Sequence, residues 1–431
     1  MTVKIFQHYT HLIGTNSFEV PEGTVCIGEN AFAEGKYLYS ISLPDSVHEI
    51  SKNAFSGCAR LRSINLPEGL VTIGDGAFQG CGHLNTSLPD SIQFIGERAF
   101  RDCWELRNIA ASNVQNIGGQ AFMRCSHLKF VRISGKSLSI GAEAFSKCIT
   151  LDSVNISSDE DFHADRLFPG CTALRNVVLP DSTVSMEQCF TGCSALLEFS
   201  VPSSITHFDA EDLRDAGLKV LKLHGGIWSV SFPENEALRC LLSIEVSPDN
   251  PVYSSADGML MDRTTGELLV CPAGAEVLSL SRDMPELSGS AVRNCNRLRK
   301  LIITDCGKTL ELNLSRGFRP ELIPNIIAGN YTSIQSNNIK IPLLIFDLDC
   351  YGSEKAQKML RDRIKRVMEF IISSGNIDYL APLLKYDVIP QERIDEFIAL
   401  AAENNCNEIS LALLDHKNSS GYSDILSQFS L

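Results

Sequence analysis

The stretch that decides the fold is "IGDGAFQGCGHL", Ile73 to Leu84. Taken alone it offers Gly74-x-Gly76, which opens many phosphate-binding loops, and Cys81, a residue type that reacts or holds metals. Slid along the chain, it finds echoes: "CIGENAFAEGKYL", "EISKNAFSGCARL", "FIGERAFRDCWEL", "NIGGQAFMRCSHL" and "SIGAEAFSKCITL". The phenylalanine recurs at Phe32, Phe55, Phe78, Phe100, Phe122 and Phe145 in steps of 23, 23, 22, 22 and 23, with weaker copies at Phe168 and Phe190. A cysteine keeps the same beat at Cys58, Cys81, Cys103, Cys125, Cys148, Cys171 and Cys193. A period of this length marks a solenoid, in which each repeat is one turn of a stacked coil. Gly74-x-Gly76 is then a turn within a coil. A dinucleotide fingerprint needs a strand before it, a helix after it and a third glycine at the right spacing.

One repeat, Leu61 to Cys81, shows how a coil is built. Leu61, Ile64 and Leu66 alternate inward along a short strand, while Ser63 and Asn65 face out. Pro67 ends the strand because it has no N–H for the ladder. Val71 and Ile73 are expected to return to the core, Gly74 to supply a positive φ at the corner, Phe78 to fill the centre and Cys81 to close the far side. One such coil buries too few side chains to fold alone, and stacking supplies the rest.

Composition narrows the function. The net charge of −14 over 431 residues argues against a nucleic-acid partner, which needs a basic face. The basic run "RDRIKR", Arg361 to Arg366, reads as a solvated helix face. No secretion signal and no membrane-length apolar run is visible. With 15 cysteines, this implies a reducing compartment, free thiols and a cytoplasmic protein. The ladder cysteines stand one per coil, whereas a zinc site needs ligands that converge. Small buried hydrophobe is their expected role.

The pattern L-x-x-I-x-L-P-x-x-h-x-x-I-G-x-x-A-F-x-x-C, with h apolar, resembles the BspA-like leucine-rich repeat of bacteria, also called the Treponema-type repeat. It runs over residues 18–315. The segment Val246 to Gly274 resembles that family's hairpin insertion, with Asn250, Tyr253, Asp257-Gly258 and Pro272-Ala273-Gly274 in place and Met261 where a Tyr is common. The repeat decays between 205 and 245, where Leu213 takes the Phe position and Ala216 the Cys position. One more coil follows the hairpin, with Val292 for the Phe. The resemblance implies an α/β repeat solenoid: a right-handed coil of short parallel strands with a hairpin insertion, followed by an all-α domain of helical pairs. The expected domains are an N-terminal cap at 1–17, the solenoid at 18–315 with its insertion at 246–274, and a helical domain at 316–431. In that last part Met359, Ile364, Val367, Phe370 and Ile371 fall on one helical stripe. Pro390 opens a helix. The short helices resemble ankyrin-type pairs without the "TPLHxA" turn.

Other residues invite a chemical reading. "LLIFDLDCYG", Leu343 to Gly352, resembles the first motif of haloacid-dehalogenase-like phosphatases, which would make Asp347 the nucleophile and Asp349 the acid/base around Mg²⁺. Cys350-Tyr351 replaces the usual Gly-Thr, and too little chain follows for the remaining motifs. The plainer expectation is an apolar stretch leading into a helix at Ser353. His83 and His127 sit at turns of the coil, and His8 and His11 lack an evident third ligand. We therefore expect no catalytic residue, cofactor or metal.

The outward strand columns carry the functional expectation. One reads Ser42, Asn65, Ser87, Ala110, Arg132, Asn155, Val178 and Ser200. Its neighbour reads Ser40, Ser63, Asn108, Phe130, Ser153, Asn176 and Glu198. Small polar residues dominate, with Phe130 and Val178 as apolar exceptions near the middle. Apolar and Arg anchors ringed by polar groups make a binding hot spot. Phe130, Arg132, Val178, Asn155 and Asn108 are thus the expected contacts for an unknown protein or peptide. A cytoplasmic interaction scaffold is the first reading, with the solenoid face, the helical module or both as the binding element. A surface adhesin, the role of family relatives that carry signal peptides, is the second.

Overall fold

The computed structural model describes residues 5–6, 16–232, 238–285 and 287–428. The chain divides into two compact units, Met1–Thr264 with Pro272–Gly274, and Thr265–Cys271 with Ala275–Leu431.

In the first unit each coil has three sides. The first is a parallel ladder in which Ser17–Glu19, Ser40–Ser42 and Ser63–Ile64 pair in order. It resumes with Asn108–Ala111, Phe130–Gly135, Ser153–Ser158 and Asn176–Val178, and again with Glu198–Ser200, Val220–Leu223 and Ser243–Val246. The second side is a ladder of two-residue strands, Cys26–Ile27, Glu49–Ile50, Thr72–Ile73, Phe94–Ile95, Asn116–Ile117 and Ser139–Ile140. These are the short parallel strands expected of a leucine-rich-repeat coil.

The third side, the arc around "AF", has neither helix nor strand, yet its backbone is bonded from coil to coil. Asn53, Phe55 and Gly57 donate N–H bonds to the carbonyls of Asp75, Ala77 and Gln79 at 2.8, 2.7 and 2.8 Å. Gly76, Phe78 and Gly80 do the same to Glu97, Ala99 and Arg101. Alternate N–H groups point the same way because the residues two before and two after the Phe are left-handed. The φ values are 53° at Asn53, 55° at Arg98, 60° at Asp102, 57° at Gln120 and 59° at both Glu143 and Lys147. Each non-Gly residue there costs about 1–2 kcal/mol, and the surrounding bonds hold it in place.

Through this arc runs a stack of rings. From Phe32 to Phe190 successive centroids lie 5.1–5.8 Å apart with planes within 17° of parallel. That is offset stacking at close to the strand spacing. Each ladder thiol donates to a Phe carbonyl one coil back: Cys58 to Phe32 at 3.0 Å, Cys81 to Phe55 at 3.1 Å, Cys103 to Phe78 at 3.1 Å and Cys125 to Phe100 at 3.2 Å. Burial pushes the Cys81, Cys125 and Cys171 thiols well above their ordinary pKa. The seven ladder cysteines, Cys58 to Cys193, are in no disulfide.

Three details of the expected coil change. Gly74 does not take a positive φ; Gly76 does, at 58°. Gly74 is required because a Cβ there would lie 2.7 Å from the Lys52 nitrogen of the previous coil, and Gly96, Gly118 and Gly141 are pressed as closely. Leu70, fully buried, turns into the core where Val71 was expected, and Val71 is half-buried. Leu66 is also half-buried, although Leu61 and Ile64 are buried as expected.

The hairpin insertion is present. Tyr253–Ala256 pairs antiparallel with Met259–Asp262 across Asp257 and Gly258, whose φ values of 50° and 77° suit a two-residue hairpin turn. Asn250, buried, ties it to the coils. Its amide donates to the carbonyls of His224 and Ile227, and its oxygen accepts from the N–H groups of Val252 and Tyr253.

The second unit begins with one more parallel pair, Val277–Ser281 with Lys300–Asp305. Lys308–Asn313 then folds back antiparallel on Lys300–Asp305, and the helix Asn337–Tyr351 packs on that last strand. Covering an edge in this way removes a template for unwanted pairing. Further helices are Glu354–Arg361, Ile364–Ser374, Leu380–Lys385, Ile394–Glu403 and Asn407–Gln428. The stripe is real at Ile364, Val367 and Ile371, which are buried, but Met359 lies on the preceding helix. "RDRIKR" spans the break between these two helices, with its charged residues exposed. Pro390 stands at a helical start as expected, one position earlier: it caps the 3-10 helix Gln391–Arg393, which runs directly into Ile394–Glu403.

A helix does begin at the expected Ser353, which caps Glu354–Arg361, but the stretch Leu343 to Tyr351 before it ends no strand. It belongs to the helix Asn337–Tyr351, which stops at Gly352 with φ 61°. Asp347 pairs with Arg282 and accepts from the Tyr331 hydroxyl at 2.7 Å. Arg282 also donates to that hydroxyl and lies 5.6 Å from the Phe346 ring centroid. Asp349 pairs instead with Lys308. Two carboxylates two residues apart on a helix diverge, so they do not frame a shared Mg²⁺.

Two outcomes test this packing. Phe100→Ala, at the centre of the ring stack, is expected to cost about 3–5 kcal/mol in a denaturant titration; a loss below about 1 kcal/mol would refute its place in the core. Asp347→Ala leaves the half-buried Arg282 without its carboxylate and is expected to cost about 1–3 kcal/mol. An unchanged unfolding midpoint would show that Arg282 finds its compensation elsewhere.

Candidate interaction surface

The alternation of the first-side strands buries Ile109, Val131, Ile133, Val154 and Ile156. The residues between them necessarily point the other way. Register then fixes their neighbours. Phe130 lies opposite Asn108 on one side and Ser153 on the other. Arg132 lies between Ala110 and Asn155, and Asn155 lies beside Val178. Asn108, Phe130, Arg132, Asn155 and Val178 thus share one face of one four-stranded parallel sheet. All five are exposed, Phe130 to 51% and Val178 to 55%. Strand spacing puts Val178 about 10 Å across the sheet from the Phe130 strand. Asn65, earlier in the same column, is not a free contact group. Its side chain clamps the Leu43 backbone, accepting from the N–H and donating to the carbonyl, both at 2.8 Å.

Beside this face runs a column that the alternation does not reveal, formed by the residue just before each strand. Arg62 donates its N–H to the Tyr39 carbonyl, Lys129 to Arg107, Asp152 to Lys129, Arg175 to Asp152, Lys219 to Leu197 and Leu242 to Lys219. With Asn85 in its place by sequence, the column reads Tyr39, Arg62, Asn85, Arg107, Lys129, Asp152, Arg175, Leu197, Lys219 and Leu242. Its sequence signal is the residue after the buried leucine that ends each "CxxL". Arg175 pairs with Asp152 at 3.6 Å, and Arg62 lies 5.4 Å from the Tyr39 ring centroid. Among the described residues Arg107, Lys129 and Arg132 have no carboxylate at ion-pair distance. Three residues before Arg107, Trp104 is 53% exposed. Its ring lies where a side chain on Gly82 would stand.

The remaining candidates stay apart from this face. His127 is held by its turn, with Nδ1 2.8 Å from the Trp104 carbonyl and 3.9 Å from Glu105. His83 is exposed at the equivalent turn of an earlier coil. His8 and His11, with most of the 1–17 cap, lie outside the described residues. Among the described residues no group of three or more His, Cys, Asp or Glu is placed to hold a metal. No helix among them is long and apolar enough to cross a membrane.

A family profile agrees with this repeat. The profile of the BspA type leucine rich repeat region matches residues 6–129 and 115–231, with 6 copies. Among solved structures, a leucine-rich repeat protein from Bacteroides ovatus is 20% identical with a TM-score of 0.41, over 66% of this chain and 80% of that one. The T. pallidum leucine rich repeat protein is 28% identical with a TM-score of 0.33, over 44% of this chain and 82% of that one. No curated protein matches the chain. The repeat profile extends over more than half of the residues, and the protein belongs to the BspA-type leucine-rich repeat family.

Proposed function

We propose that the protein is a cytoplasmic interaction scaffold that binds a protein or peptide across the first-side strand face, without catalysis. The observation that carries this reading is the grouping of exposed Phe130, Arg132 and Val178 on one rigid sheet, with Asn108, Asn155 and Ser153 around them. Hot spots are enriched in aromatic and Arg residues and ringed by polar groups that exclude water on binding. A face built from hydrogen-bonded strands is also preorganised, so little ordering entropy opposes association. Repeat proteins of this family usually serve interaction or adhesion, which supports the same class of role.

Partner capture with the whole chain identifies the ligand, and cell fractionation locates the protein. The double variant Phe130→Ala with Arg132→Ala is then expected to weaken binding of the captured partner by at least about 2 kcal/mol, with the melting temperature nearly unchanged because both side chains are exposed. Undiminished binding would remove the strand face from the interface and transfer the role to the helical part. Recovery in a surface fraction would favour the adhesin.

A further inference from the structure

We propose that the segment bound at this face is acidic, a peptide of carboxylate and apolar side chains; the inference rests on the strand-face reading above. The protein as a whole is strongly acidic, at −14. Yet the column flanking the face holds five cations, Arg62, Arg107, Lys129, Arg175 and Lys219, against one acid, Asp152. Arg107 and Lys129 are adjacent in it, about one strand spacing or 4.8 Å apart, and like charges so placed repel. Arg132 adds a third positive charge two residues beyond Phe130 on the same strand.

The acids that face this group are few. Asp152 is engaged by Arg175, and Glu105 lies beside His127. Farther along the same side Lys222 is matched, lying between Glu198 and Glu245. Arg107, Lys129 and Arg132 thus stand together in the coils that also expose Trp104 and Phe130, while Arg62 and Lys219, likewise without an ion pair among the described residues, lie singly farther along the column. A carboxylate-bearing strand lying over Phe130 would neutralise Arg107, Lys129 and Arg132 while its apolar side chains cover the ring. Such complementarity sets on-rate and partner choice more than raw affinity. Nucleic acid fits less well, since the rest of the surface would repel it.

The test uses the whole chain and labelled peptides of alternating Glu and Leu, the same peptide with Gln or Lys for Glu, and labelled oligothymidylate, each titrated by fluorescence anisotropy. The Glu peptide is expected to bind at least about tenfold tighter than the Gln peptide at low salt, with the gap narrowing as salt rises. Arg107→Glu with Lys129→Glu is expected to abolish that preference without moving the melting temperature. Equal binding of the Glu and Gln peptides, a preference that survives charge reversal, tighter binding of oligothymidylate, or no saturable binding of the Glu peptide would each overturn the inference. Phe130→Ala separates the two readings. If it weakens the Glu and Gln peptides alike and no Glu preference exists, the strand face stands and its acidic specificity falls. If the Glu preference is lost on charge reversal but untouched by Phe130→Ala, the cationic column stands and the hot spot falls.

Discussion

The structure of the first unit depends on the backbone of the "AF" arc reaching the next coil. Three N–H groups per coil make that reach, and they align only if the residues two before and two after the Phe are left-handed. For Arg98, Gln120 or Glu143 that conformation is costly in isolation. It is tolerated because the stacked Phe rings fix the spacing and the corner glycines let the backbones close. The strand ladders share the spacing of the rings. Every outward residue is therefore carried into a column with a pitch of about 4.8 Å, and the ordered outer face is a consequence of the core.

How much of this was legible in the sequence follows from the same physics. The period was legible because each coil buries the same few residues, so Phe32 to Phe190 recur at a fixed step. The role of Gly74 was misread because sequence alone does not separate a glycine needed for its φ from one needed for close approach. The left-handed residues were not legible at all. Asn53 is a residue type that favours this conformation, but Arg98 and Lys147 are not, and they are placed there by their neighbours. Leu70 and Val71 are adjacent and both apolar, so alternation could not choose between them without the position of the bend.

The second unit shows a different ambiguity. An apolar run such as Leu343 to Leu348 suits a buried strand and a buried helix equally, and flanking length decides. The preceding "SNNIKIP" extends the run to a 15-residue helix, which breaks the resemblance to a phosphatase loop. The exposure of Asn108, Phe130, Arg132, Asn155 and Val178 on one face could be anticipated because they obey the two-residue alternation. The cationic column could not, because its members lie just outside the strands, where alternation ends and only register aligns them.

The cysteines mark the boundary between structure and function in this chain. Their number suggests redox or metal chemistry, but each ladder thiol is occupied by a carbonyl. The Phe55 oxygen accepts from the Cys58 N–H of its own coil at 3.1 Å and from the Cys81 thiol of the next at 3.1 Å. A thiol fits this position because it is small, apolar in bulk and still a donor. Alanine would leave the second acceptor site of a buried carbonyl empty. Ring and thiol both leave the ladder in one coil. Leu213 and Ala216 replace Phe and Cys in the same coil, immediately after Phe190 tilts against Phe199 at 58°. The two are separable elsewhere: Phe32 joins the ring stack with Gly35 in the Cys place, and Cys295 donates to the Cys271 carbonyl in the coil where Val292 replaces the ring. With the ladder thiols held in the core, what the repeat presents outward is its columns of strand residues.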